Sequence, residues 1–196
     1  MNERITFPLA SIRGYAEIID SKANYIKELV DDLNLTMKLK NGYPDIERKE
    51  KNIVALVRNV VIYILNDSNY GKVNIDFEYS EEKIVKLIDE LLMKRVINNL
   101  LYNAILHNNE NVSIRVSVIE DSENKVHIII EDNGKGIPNE ELKYIFERYY
   151  RGTNTGYEHK GSGLGIAIAR DIVKAHNGDI TIESTLGEGT KLEIIM

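Results

Sequence analysis

The sequence predicts an α+β fold. The expected form is a two-layer α/β sandwich, a mixed, mostly antiparallel sheet with helices on one face, preceded by a long N-terminal helix. Three observations predict it. From Ile12 to Met37 apolar residues recur in alternating steps of four and three, at Ile12, Ala16, Ile19, Ala23, Ile26, Val30, Leu33 and Met37. The later part carries several short runs of strand length. Strongly apolar helical stretches lie between those runs, the pattern of a sheet covered by helices.

The first helix has a period near 3.5 residues, sustained over more than three heptads. That fits a coiled-coil or bundle seam better than a helix docked on its own domain. Pro8 precedes it, and Asn41-Gly42 supply a stop. Tyr43 to Lys51 is a polar connector and the best domain boundary. A second amphipathic helix spans about Ile53 to Leu65 and ends at the turn Asn66–Gly71. Val73–Tyr79 alternates as a half-buried strand, and Lys83–Leu87 is a further short strand. Leu91 to His107 is helical. Val112–Ile119 and Val126–Glu131 are strands joined by the hairpin-length loop Glu120–Lys125. Helices are expected at Glu140–Tyr149 and Leu164–His176, the latter stopped by Asn177-Gly178. Asp179–Ser184 and Lys191–Ile195 complete the strands.

Composition narrows the functions. The 196 residues are 43% apolar and 29% charged, with 25 Lys and Arg against 31 Asp and Glu, which gives a net charge of −6. An acidic chain without a basic run is a poor binder of nucleic acid, whose phosphates need neutralising. There is no cysteine, so disulfides, cysteine–zinc sites and thiol nucleophiles are excluded. No apolar stretch reaches the roughly 18–20 residues of a membrane span, and Met1-Asn2-Glu3-Arg4 does not open a secretory signal. A soluble cytoplasmic fragment is the expectation.

Three features carry candidate chemistry. Asp132-Asn133-Gly134-Lys135-Gly136-Ile137-Pro138 and Gly161-Ser162-Gly163-Leu164-Gly165 are glycine clusters. The second precedes a helix, whose first amides form an anion site. Neither is a Walker loop or a dinucleotide fingerprint, and each alone also reads as turn glycines. The third feature is Asn99 and Asn103, four apart and so on one face of an apolar helix. Asn is expensive to bury unpaired, so the pair implies a ligand or a buried polar network. His107 lies one turn further.

In combination these features become specific. Asn98-Asn99-Leu100-Leu101-Tyr102-Asn103-Ala104, then Asp132 to Pro138, then Phe146-Glu147-Arg148-Tyr149-Tyr150-Arg151, then Gly161 to Gly165 resemble the N, first glycine, F and second glycine boxes of bacterial sensor histidine kinases. Gly187-Glu188-Gly189-Thr190 resembles the last glycine box. The resemblance covers about Asn52 to Met196 and implies an ATP-binding catalytic domain.

The resemblance implies a role for each residue. Asp132 would accept a hydrogen bond from the adenine amino group, which guanine replaces with a carbonyl. Gly134 and Gly136 would let the backbone pass the base, and Ile137 and His107 would wall it. Asn103 would hold Mg²⁺, which would bridge the phosphates. Asn99 would lie near the phosphates. Arg151 would reach the γ-phosphate and Arg148 would assist. Gly161, Gly163 and Gly165 would present amides, with Ser162, Leu164, Tyr150 and Thr190 among the nucleotide contacts. Gly152–Lys160 would form a lid, with His159 and Lys160 either phosphate contacts or solvated.

Two positions qualify this. Gyrase- and Hsp90-type ATPases have a water-activating Glu four residues before the Mg²⁺ asparagine, as anti-sigma-factor kinases usually do. Here that residue is Asn99, and an amide is no general base. The family often has Lys or Arg three residues after Asn103. Here it is Leu106, which leaves Lys160 or an arginine to substitute.

The first part resembles a dimerisation and phosphoacceptor hairpin in pieces. Pro8-Leu9-Ala10-Ser11-Ile12-Arg13-Gly14-Tyr15 resembles the stretch after an acceptor histidine, whose position falls on Glu3. Leu29-Val30-Asp31-Asp32-Leu33 resembles the later part of the second hairpin helix. Too few residues separate them for two long antiparallel helices. The expectation is a truncated fragment that retains the second helix, or a shortened hairpin without its histidine, and no autophosphorylation in the usual manner. The expected organisation is 1–42 as partial dimerisation helix, 43–51 as linker and 52–196 as catalytic domain. The implied partners are the phosphoacceptor hairpin of the same kinase, a response regulator and a second copy in a homodimer. A membrane anchor, where the family has one in the bacterial inner membrane, lies outside these residues. The competing expectation is a degenerate nucleotide-sensing interaction module without phosphotransfer. Leu106 and the absent histidine favour it; the complete glycine boxes and Arg151 oppose it.

Overall fold

The computed structural model describes residues 9–40, 46–67, 73–106, 108, 112–152 and 162–196. The chain divides into two units, Met1–Asn41 and Gly42–Met196.

In the first unit, helix α1 runs without a turn from Leu9 to Lys40. It passes through both hairpin-like stretches. The seam residues Ile19, Ile26, Val30, Leu33 and Met37 are all exposed.

The second unit holds β1 (Lys49–Asn52), α2 (Ile53–Asn66), β2 (Asn74–Tyr79), β3 (Val85–Ile88), α3 (Glu90–Leu106), β4 (Ser113–Glu120), β5 (Val126–Asp132), α4 (Asn139–Leu142), α5 (Gly165–Ala175), β6 (Asp179–Thr185) and β7 (Gly189–Ile195). A five-stranded sheet has the order β2-β4-β5-β7-β6. Only β2 and β4 are parallel among its pairs. β1 and β3 form a separate antiparallel pair.

Alternation fixes which face is covered. In β5 Val126, Ile128 and Ile130 are buried, as are Ile114, Val116 and Val118 in β4 and Leu192 and Ile194 in β7. Helices α3 and α5 pack together, α3 against β5 and α5 against β6. Met93, Val96, Ile97, Leu100 and Leu101 from α3 join Ile168, Ile172 and Val173 from α5 in this core. Truncating such a residue, for example Leu100→Ala, costs about 2–5 kcal/mol. The same alternation puts Asp132, two beyond Ile130, on the helix side of the sheet.

Two expectations are corrected. Lys49–Lys51, read as linker, pair with β3. Asn52 then caps α2: its Oδ1 accepts from Val54 N at 3.1 Å and its Nδ2 donates to Glu82 O at 3.1 Å. The helix expected over Glu140–Tyr149 stops at Leu142. Beyond it the backbone bonds close three-residue steps, Tyr144 N to Glu141 O and Glu147 N to Tyr144 O. Tyr149 takes φ +66 and turns its N–H to Gly163 O at 2.9 Å. Docking on that glycine loop outweighs continuation of the helix.

Candidate nucleotide site

The site assembles around the C-terminal half of α3. Asn99 and Asn103 are half-buried on one face of the helix. Asn99 Nδ2 donates to Gly165 O at 3.0 Å, tying α3 to the first residue of α5. Asn103 Nδ2 donates to Asn99 O at 2.7 Å. Both amides therefore direct a donor into the protein. The start of α5 lies against this pair: a Cβ at Gly165 would stand 3.6 Å from Asn99 Cγ and 3.9 Å from Asn103 Nδ2. The first amides of α5 have no partner within the helix and carry the positive end of its dipole.

Asp132 ends β5 and is only 8% exposed. Its Oδ1 accepts from Gly134 N at 2.9 Å and from Asn108 Nδ2 at 2.9 Å. Burial pushes its carboxyl above the ordinary value, against the pull of hydrogen bonds from Gly134, Asn108 and Thr190. Thr190 stands opposite Asp132 in the β5–β7 register. Gly136, at φ +65, passes so close to Thr185 O that a Cβ there would collide with it. The Ile137 N–H donates to Ser184 Oγ at 2.8 Å, and Ser184 Oγ donates to Gly189 O at 2.7 Å. The first and last glycine boxes are thus one hydrogen-bonded unit.

The second glycine box docks on the aromatic segment. Gly163, at φ +69, leaves 2.8 Å between an added Cβ and Tyr150 O. Ser162 Oγ accepts from Leu164 N at 3.2 Å, and Leu164 is buried. Tyr150 stacks on Tyr144 with ring centroids 5.6 Å apart. Its hydroxyl is pushed up in pKa by burial and by Glu141. Arg151 is exposed at the end of this segment. Expected to assist at the phosphates, Arg148 pairs with Asp171 on α5 at 2.6 Å. It pins the segment to α5, since the two side chains face each other across the packed elements. His107, Lys160, Gly161 and nearly all of the expected lid fall outside the described residues.

Sequence reasoning missed Asn108, Ser184 and Asp171. Asn108 sits in the polar run that follows α3 and carries no periodic signal. Its one clue is the spacing of four from Ala104, whose carbonyl its Nδ2 caps at 2.8 Å.

Among the described residues no group of three or more acidic or histidine side chains forms a metal cage. A single amide oxygen is still a suitable partner for a hard cation that keeps its water and phosphate ligands. Asn103, with its Nδ2 turned inward, presents such an oxygen.

A buried carboxylate, two glycine turns and paired amides on α3 thus meet at one end of an α/β sandwich, the polar groups of a small-molecule site. Residues 88–196 match the family described as Histidine kinase-, DNA gyrase B-, and HSP90-like ATPase. The chain belongs to that family. The sensor histidine kinase YvrG of Bacillus subtilis (strain 168) is 36% identical over 207 residues, which cover 96% of this chain and 36% of that protein. Full-length ShkA in complex with AMPPNP has the same fold, with a TM-score of 0.79 at 21% identity over 93% of this chain and 38% of that one. Histidine kinase ThkA in complex with the response regulator TrrA matches with a TM-score of 0.70 at 21% identity, over 100% of this chain and 52% of that one. The chain therefore spans about a third of the length of the curated relative it matches. No helix among the described residues is long and apolar enough to cross a membrane.

Proposed function

We propose that this chain is the ATP-binding catalytic domain of a two-component sensor histidine kinase. It donates the γ-phosphoryl group of Mg-ATP to a histidine outside this chain. The observation that carries the reading is Asp132, a carboxylate held buried at a raised pKa beside two glycine turns. A buried charge kept at such a cost fits a ligand donor, and the adenine amino group is one.

The other residues follow from their placement. Asn103 holds Mg²⁺ through Oδ1, and the bound ion supplies charge neutralisation at the phosphates. Asn99 braces α5 so that its first amides meet the phosphates. Arg151 reaches the γ-phosphate, while Arg148 acts through Asp171 by fixing the segment that carries Arg151. This chain's contribution is positioning and charge stabilisation. Asn99 cannot activate water, which fits transfer to a histidine better than hydrolysis.

The exposed seam of α1 supports a homodimer in the intact kinase. The phosphoacceptor hairpin and a response regulator are the protein partners, as TrrA is for ThkA. The cytoplasm is the compartment in which these residues work.

Calorimetric binding of ATP and ADP, with and without Mg²⁺, tests the reading on this chain and on Asp132→Asn. Saturable binding that the substitution removes is the expected result. Absence of binding to the unaltered chain would overturn it.

A further inference from the structure

The base-reading carboxylate is not alone in its pocket. Asn108 stands just past the end of α3 and reaches into the turn that follows β5. Its Nδ2 donates to Ala104 O at 2.8 Å and to Asp132 Oδ1 at 2.9 Å, and its Oδ1 accepts from Lys135 N at 2.9 Å. These three bonds fix the orientation of the amide, because a flip would set donor against donor and acceptor against acceptor. A Cβ at Gly134 would collide with this carboxamide. The glycine turn is therefore folded around Asn108.

We propose that Asn108 is a positioning residue for base recognition: its carboxamide fixes Asp132 as a hydrogen-bond acceptor and thereby sets a preference for adenine over guanine. This rests on the adenine-nucleotide reading above and deepens it.

An ionised carboxylate offers about four acceptor positions. Gly134 N–H and the Asn108 amide use two of them, both on Oδ1. Oδ2 meets the base, and a carboxylate oxygen can only accept. Adenine supplies a donor there and guanine a carbonyl. A protonated Asp132 would lose this discrimination, because its O–H would serve guanine. Burial favours the protonated form, and hydrogen bonds to the carboxylate oppose it. One of those donors is the backbone amide of Gly134. Asn108 is the side chain among the described residues that donates to Asp132. It also joins the base reader to the helix that carries Asn103.

The test uses this chain with Asn108→Asp and Asn108→Ala, and calorimetric binding of ADP and GDP. The first variant is isosteric. It keeps the acceptor for Lys135 N–H and replaces the donor facing Asp132 with a second carboxylate oxygen. ADP affinity is expected to fall about ten- to a hundredfold, the worth of a hydrogen bond to a charged group. The ADP-over-GDP preference is expected to narrow, because a carboxylate facing Asp132 favours its protonated form, and a protonated Asp132 can donate to guanine. A loss for ADP and GDP in equal measure would mean that Asn108 only shapes the turn, and would overturn the proposal. Unchanged affinity would overturn it as well. If Asn108→Asp melts before binding can be read, Asn108→Ala carries the same comparison without an added charge. An unaltered chain that binds neither nucleotide would overturn the adenine reading itself, a failure distinct from a variant that matches a binding-competent wild type.

Discussion

The two ends of α3 are both held by polar groups, with opposite consequences. At the N-terminal end Asp89 Oδ1 accepts from Leu91 N and Leu92 N, each at 3.1 Å. The Asp89 N–H donates to His176 Nε2 at 3.0 Å, and His176 Nδ1 donates to Ile172 O at 2.8 Å. Arg48 Nη2 donates to Ala175 O at the end of α5. The Asp89–His176 bond joins the N-terminus of α3 to the C-terminus of α5, and both ring nitrogens of His176 are used within the protein. At the C-terminal end Asn99 and Asn103 direct their amide nitrogens inward, and Asp132 remains a buried carboxylate at a raised pKa. Polar atoms saturated by the chain make structure. Polar atoms left with acceptor capacity make a site.

The contrast breaks most visibly at Asp132. Asp132→Asn is expected to lower ADP affinity by about a hundredfold or more, since a donor would then face the adenine amino group. The thermal midpoint should hold or rise, because a buried charge is removed. A large fall in the midpoint would make Asp132 a structural residue like His176. Asn103→Ala comes next. It should abolish the gain in ATP affinity that Mg²⁺ confers, about tenfold, and leave metal-free ADP binding in place; calorimetry with and without Mg²⁺ reads both. Asp89→Ala, at the closed end, should do the reverse. It should cost about 1 kcal/mol of stability through the lost cap, read by urea unfolding, with ADP affinity unchanged.

The smallest effect concerns acid. Burial lowers the pKa of His176. The unfolded chain binds that proton near the ordinary value of about 6.5 and the folded chain only below it. Stability therefore falls as pH drops through that value. His127 works in the opposite direction: hydrogen bonds from its ring to Glu193 and Asp121 raise its pKa, so its contribution is present in acid and is lost as pH rises. It is partly solvated, which screens its effect. Melting curves from about pH 7 to about pH 5 should decline for the wild type and decline less for His176→Gln.

Much of this was legible in the sequence, for physical reasons that differ by element. Val126–Glu131 and Val112–Ile119 alternate because one sheet face is covered and the other is not, and they appear as β5 and β4 within a residue or two. Asn99 and Asn103 stood out because amides are rare on an apolar helix. β1 was hidden because Lys49-Glu50-Lys51-Asn52 has no apolar residue, and its pairing is set by β3. The helix expected through Tyr149 failed because the decisive bond, Tyr149 N–H to Gly163 O, comes from a distant loop. The partner of Arg148, Asp171, lies on another element, and no motif reveals it. Asn108 gave little signal beyond its spacing from Ala104, because a polar run after a helix looks the same whether it is solvated or turned into a pocket.

On the proposed function, this domain holds ATP for transfer and does not spend it on water. The most direct test supplies radiolabelled Mg-ATP to the chain, with and without a separately prepared phosphoacceptor hairpin, and measures phosphate release and protein labelling together. Label on the hairpin's histidine and no steady phosphate release by the chain alone are the expected results. Robust release without the hairpin would contradict it, because Asn99 would then stand in a site that activates water.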